Sequence, residues 1–253
     1  MKKTSSVFLS ILLLLGVSNA RAQQSIFLSS GTIEFERKVN QYEQIADEEA
    51  EWKDLMKKTG TRFYTTYFNL SFSGNKTLYK PGRENVSNSE KKLEFWGDQP
   101  GEDNVIYSDY EADQVTSQKK VYETLFLIKD SARKIRWKIT DENRVIAGFA
   151  CRRANAIIMD SIYVVAFYTD EITTPGGPES FSGLPGMILG VAIPHKHVTW
   201  FASKVNAAPV AESLVIAPVK GKKTNLTEYK QSLKTATKDW GRWAQHMLEA
   251  AEL

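Results

Sequence analysis

Side chains that switch between apolar and polar at every second residue commit a chain to sheet with one buried and one wet face. From Thr32 to Lys38, Ile33, Phe35 and Arg37 interleave with Glu34, Glu36 and Lys38. Phe68, Leu70 and Phe72 repeat the pattern, and Ile135, Trp137 and Ile139 alternate with Arg136, Lys138 and Thr140. Further strands are expected over 104–110, 115–129 (long enough for a hairpin), 144–158, 161–169, 186–193 and 197–205, with Asp141-Glu142-Asn143 as a turn. So many short strands in succession predict a mainly β fold: an antiparallel sheet that meanders and curls into a half-barrel or bowl.

Two helices should frame the sheet. Gln41 to Lys58 sets Ile45, Trp52, Leu55 and Met56 at helical spacing, with acids early and lysines late, as the helix dipole favours. Over 225–251, Leu226, Tyr229, Leu233, Ala236, Trp240, Trp243, Met247 and Ala250 are spaced by threes and fours, which predicts one long C-terminal helix. Such a helix would dock across the open face of the sheet, although so regular a seam could equally serve a second chain. Gly241 weakens it by about 1 kcal/mol relative to alanine.

The amino terminus reads as an export leader over residues 1–22. Lys2 and Lys3 precede an apolar run from Val7 to Val17, and Ala20-Arg21-Ala22 offers small residues for cleavage before Gln23. That run is too short to anchor in a bilayer and no second one follows. The expectation is a periplasmic or secreted protein, without a transmembrane anchor, whose residues 23–253 form a single domain. Losing Lys2, Lys3 and Arg21 leaves 30 basic residues against 30 acidic ones, so no nucleic-acid partner is implied. Cys151 is the only cysteine, which excludes an intrachain disulfide and reads as a buried apolar group. The polar stretch from Lys80 to Asp103 is expected to be a long surface loop.

Chemistry is sparse. His195 and His197 stand two apart, a spacing compatible with a metal, but Pro194-His195-Lys196-His197 reads more simply as a turn. His246 falls off the apolar stripe of its helix. Asp170-Glu171 could serve a hydrolase, yet neighbours on an extended chain point apart. Ser161, Ser180 and Ser182 lack a nucleophile context, and no phosphate-cradling or dinucleotide motif occurs, so no cofactor is implied. The aromatics Tyr64, Tyr67, Trp96, Tyr107, Tyr110, Trp137, Trp200 and Phe201 fit core filling or an apolar, sugar-stacking concavity.

One segment stands apart. Pro175, Pro178, Pro185, Gly176, Gly177, Gly183 and Gly186 crowd a single loop, which ends Phe181-Ser182-Gly183-Leu184-Pro185-Gly186-Met187-Ile188-Leu189. Phe181, Gly183, Leu184, Pro185, Gly186 and Met187 are the candidate ligand-binding or structural motif, the glycines turning the backbone and Leu184 capping the core. With Arg136-Trp137-Lys138-Ile139-Thr140, the run Ile146 to Ala154, Phe167-Tyr168-Thr169-Asp170-Glu171-Ile172 and Gly177-Pro178, it resembles the GLPGLI family of exported Bacteroidota proteins over residues 130–205. Met187 replaces the usual leucine of the motif, and Phe-Tyr-Thr at 167–169 stands where an aromatic pair with tryptophan is common. The resemblance implies a β-rich envelope protein with no established activity. It also implies kinship with the bowl-shaped N-terminal domain of certain glycan-cleaving amidases, whose catalytic domain this chain has no room for. The expectation is thus a non-catalytic binding or envelope-associated protein with an apolar concavity for a lipid, a glycan or an outer-membrane protein. The alternatives are a hydrolase using Asp170 and Glu171, and a metal-binding protein using His195 and His197.

Overall fold

In β1 (Ser30–Asn40) buried and half-buried residues alternate along all 11 positions, so the side-chain period seen in the sequence is the period of burial. The computed structural model describes residues 27–46, 48–86, 89–93, 101–121, 123–239 and 241–253; the expected leader lies outside them. Strand β1 sits near the middle of one 12-stranded sheet. On one side follow β2 (Phe63–Ser73), β3 (Lys76–Pro81), β4 (Val105–Asp109), β5 (Gln114–Val121) and β6 (Thr124–Asp130). On the other lie β11 (Val198–Asn206), β10 (Met187–Ile193), β9 (Ile162–Thr169), β8 (Phe149–Ile158) and β7 (Lys138–Ile146). All these pairings are antiparallel; β12 (Lys222–Thr224) adds to β6 in parallel. The sheet is open and curled, as the sequence predicts. Among the described residues no helix is long and apolar enough to cross a membrane.

The core lies on the concave face. Ile33, Phe35, Phe68, Leu70, Phe72, Tyr168 and Trp200 are almost wholly buried there, each aliphatic or phenyl side chain worth about 2–3 kcal/mol of burial. Arg37, on the apolar face of β1 by parity, is buried too, its guanidinium 5.6 Å above the Trp200 ring. Strand β10 is covered on both faces, as its continuous apolar run demands: a Cβ on Gly190 would lie 2.6 Å from the Phe201 ring and 3.2 Å from Ile146.

Several expectations need correction. The turn does not fall at Asp141-Glu142-Asn143, which lie within β7 at a register shift between Ile139 and Asn143. It falls at Ala147-Gly148, both at positive φ (+49 and +89), the conformation whose twist matches a two-residue hairpin. The single strand expected over 144–158 is therefore a hairpin. The charged, kinked β7 is left as the sheet edge, where such features oppose pairing with another chain. Residues 131–137 form no strand. The helix expected over Gln41 to Lys58 is two helices, α1 (Gln41–Gln44, capped by the Asn40 side chain) and α2 (Ala50–Thr59). From Ala46 to Glu51 no side chain larger than alanine is apolar, so nothing pulls those turns onto the core.

The 80–103 stretch is pinned in part rather than free. Gln41 donates from Nε2 to the Lys91 carbonyl at 2.9 Å and accepts from the Leu93 N–H at 2.9 Å, seating Leu93 against Ile45 and Met56. The long C-terminal helix is also two: α3 (Leu226–Ala236) and α4 (Arg242–Glu252). Gly241 at φ +57 and ψ −134 breaks it, a backbone state that glycine alone adopts at little cost. The break lets α4 turn back so that Ala251 and Leu253 reach the core.

Candidate functional site

The proline–glycine loop leaves β9 at Asp170, crosses the concave face and re-enters the sheet at Met187. Its turns are tied to distant strands: Leu28 N–H donates to Glu171 O at 2.8 Å, Thr174 Oγ1 to Gly74 O at 2.7 Å, and Ile188 N–H to Gly176 O at 2.7 Å. Trp137 Nε1 reaches Ser182 O at 2.9 Å. Ile172, Thr174, Phe181, Ser182 and Leu184 are all buried, with the Phe181 ring 6.4 Å from that of Trp200. The loop fills the hollow that the curled sheet creates. The open apolar concavity expected from the sequence is therefore occupied by the chain itself, because a long loop this rich in apolar and glycine residues can bury its backbone against the sheet. Pro185 and Gly183 stay exposed at the bend, and Met187 is fully buried in β10.

Beneath the loop lies a knot of buried polar groups. Glu179, at φ +52, accepts from Asn104 Nδ2 at 2.8 Å and from the Tyr79 hydroxyl at 3.4 Å. Burial raises its carboxyl above the ordinary value, against the opposing pull of Lys119, Asn104, Arg37 and Tyr79. Lys119, on β5, is 6% exposed, and burial pushes its ammonium down to about 8 although Glu179 acts to raise it. Both groups move toward their neutral forms, so desolvation outweighs their mutual attraction. The knot is closed by α4: Lys119 Nζ and the Tyr229 hydroxyl each donate to Ala251 O at 3.1 Å, Ser180 Oγ donates to Leu253 O at 2.7 Å, and Arg133 donates to Glu252 O. The Glu179 carboxylate is enclosed by this closure, 4% exposed.

The other candidate groups do not converge. Asp170 is exposed, while the Glu171 carboxylate accepts from the Ala150 N–H at 3.3 Å. His195 and His197 are both exposed on a single 3-10 turn, His197 at φ +53. Among the described residues no three His, Cys, Asp or Glu side chains are placed to hold a metal. The His246 side chain and Trp96 lie outside the described residues. Cys151 is fully buried and burial pushes its thiol up to about 12, the behaviour of an inert apolar group.

A recess of ≈ 400 Å³ opens instead on the surface beside α2, lined by Tyr42, Glu43, Ala46, Lys53, Lys57 and Arg62. Its floor is fixed: the Tyr42 hydroxyl lies 3.2 Å from both the Lys57 and the Gly60 carbonyl oxygens, tying α1 to the end of α2. Lys57 Nζ stands 5.5 Å over the Tyr42 ring. Arg62 faces Glu43 at 3.6 Å and lies 5.5 Å from the ring of the partly exposed Phe63, over which Lys38 also sits at 5.2 Å. Three cations thus line the recess against one carboxylate, beside two aromatic rings.

Residues 156–190 match a family described as a protein of unknown function, Porph_ging. The matched stretch takes in the whole proline–glycine loop. The fold is shared with PNGF-II, solved in P21 and C2 crystal forms: TM-scores are 0.52 and 0.51 at 13% and 14% identity. Each alignment covers 80% of this chain and 32% of PNGF-II, so the chain corresponds to less than a third of that protein. A comparison with curated proteins finds no match. At these identities the likeness is one of architecture.

Sequence reasoning passed over Lys119, Glu179 and the recess. Lys119 was within reach: it shares strand parity with Val115, Ser117 and Val121, which places it on the inner face of β5. Glu179 carries no such signal, being one acid in an irregular loop. The recess joins three short segments, each of ordinary composition.

Proposed function

We propose that this chain is an exported, non-catalytic binding protein of the cell envelope whose recess beside α2 takes an anionic glycan. The observation that carries the reading is the fixed, tyrosine-floored recess with Lys53, Lys57 and Arg62 set against Glu43 alone. Cations in a concavity concentrate anions, and Lys57 over the Tyr42 ring and Arg62 beside Phe63 hold that charge against aromatic surface at the recess. The leader-like amino terminus supports export, and the ordered motifs over 136–189 support a place beside the GLPGLI proteins. The motif residues Phe181, Gly183, Leu184, Pro185, Gly186 and Met187 then act as architecture, holding the sheet that presents the recess.

Each exposed charge pair is worth about 0.2–1 kcal/mol, so the double variant Lys57→Ala/Arg62→Ala is expected to weaken binding of polygalacturonate about tenfold. Wild-type binding should fall with added salt and neutral dextran should not bind. Calorimetry at low and high ionic strength reads both effects. Equal binding of dextran, or binding to anionic lipid vesicles but not to the polymer, would sink the glycan reading. Export has its own readout: the intact mass of protein from the periplasmic fraction should place the first residue at Gln23, and retention of Met1 to Ala22 overturns it.

A further inference from the structure

Sequence and backbone disagree at one glycine. The apolar stripe Leu226, Tyr229, Leu233, Ala236, Trp240, Trp243, Met247 and Ala250 keeps its spacing of threes and fours straight through residues 237–241, as a continuous helix would require. The backbone nevertheless breaks there, at the positive φ of Gly241.

The bonds that fix α4 to the sheet lie at its far end. Lys119, Arg133, Ser180 and Tyr229 come from β5, the 131–137 segment, the proline–glycine loop and α3, and they converge on the carbonyl oxygens of Ala251, Glu252 and Leu253. Lys230 pairs with Glu252 at 2.6 Å, and Lys196 pairs with Glu249. Left empty, this seat would take the acceptors from Lys119, Arg133, Ser180 and Tyr229 at once and open the apolar surface of Phe126 and Tyr229 to water. Any occupant must therefore bring the same row of acceptors, and the α4 of a second copy brings them identically.

We propose that the seat accepts α4 from a second copy of this chain. When residues 237–241 take up helix, α3 and α4 become one rod of about 40 Å, which carries the last turn out of its own seat and into the neighbour's. The exchange is reciprocal and closes as a two-fold dimer. Every seat bond is remade in trans and the linker gains helical hydrogen bonds, while Tyr229 and Leu233 keep their packing against Phe126 and Ile128. This inference is independent of the recess beside α2, which lies on other elements.

The test places one probe on each side of the seat, Lys196→Cys and Glu249→Cys, in the full chain; buried Cys151 does not compete for a short bismaleimide. Cross-linking should join the two within one chain at low concentration. Gly241→Ala removes the residue that favours the break, and it should raise the covalent dimer at least about tenfold, with a matching dimer mass by light scattering. A Gly241→Ala protein that stays monomeric and cross-links only within its own chain overturns the proposal. Should that variant fail to fold, the wild-type background refolded at about 5 and about 500 µM gives the same reading through mass action. There the dimeric cross-link must appear at the higher concentration, and its absence overturns the proposal equally.

Discussion

Replacing Gly186 by valine is expected to abolish folding, the largest effect of any single substitution in the motif. At φ +127 the residue occupies backbone space that a β-branched side chain does not reach. A Cβ there would stand 2.1 Å from Thr169 O and 2.9 Å from Asp170 Cα. Both are backbone atoms, fixed by the pairing of Met187 with Thr169 that starts the β9–β10 ladder. No side-chain rotation relieves the clash; relief requires the ladder to open at its first rung. Strain of about 1–3 kcal/mol adds to overpacking of about 1–3 kcal/mol or more, and the total reaches the lower end of an ordinary domain's whole stability, about 5 kcal/mol. Soluble yield and circular-dichroism melting read the outcome. Gly148 is the internal control: it also has positive φ (+89), but a Cβ there meets nothing within 4 Å. Gly148→Ala should therefore cost only about 1–2 kcal/mol of backbone strain and lower Tm by a few degrees. A soluble Gly186→Val protein melting with the wild type would mean that the motif glycine is not structural, and that its role lies in binding.

The same contrast explains which parts of the fold were legible. Alternation in β1 and β2 reports burial directly, since each side chain faces either core or solvent, and Arg37 is buried with Ile33 and Phe35 because it shares their parity. Helix breaks are backbone events, and periodicity is blind to them. The stripe from Leu226 to Ala250 runs unbroken through Gly241 although the chain turns there. The β7–β8 turn was misplaced because acids and asparagine at 141–143 carry turn chemistry, whereas the decisive requirement was two successive positive φ angles, met at Ala147-Gly148. The filling of the bowl was hidden for another reason. Thr174 holds Gly74 across 100 positions, and Ser180 holds the far end of α4 across 73. No local pattern encodes contacts of that span. The loop's composition announced a constrained backbone but not the surface on which it would lie. The recess beside α2 is the extreme case, since its cations come from α2 and from Arg62 just before β2, and meet only after α1 has turned the chain.

Lys119 should reveal itself through the alkaline branch of the stability curve. Its folded-state value is about 8, against about 10.4 in the unfolded chain. Below pH 8 both states hold the proton, and the native state bears the whole cost of a buried charge. Between 8 and 10.4 the native lysine releases its proton while the unfolded one keeps it. The unfolded state then binds more protons, and stability rises with pH. Taken from pH 7 to 9.5, wild type should gain about 2 kcal/mol relative to Lys119→Met, a difference read from paired urea titrations. Tyr79 and Tyr229, whose hydroxyls burial pushes upward, contribute alike to both proteins and cancel in the comparison. At pH 7 the variant should fold with stability equal to or above wild type. Methionine fills similar volume without a charge to desolvate, and the Ala251 carbonyl keeps its bond from Tyr229. Glu179 gives the opposite sign: burial raises its carboxyl, so its contribution is lost as pH climbs from the unfolded value through the folded one. Parallel wild-type and Lys119→Met curves between pH 7 and 9.5 would show that the ammonium reaches water, and with it that α4 does not close the seat above it.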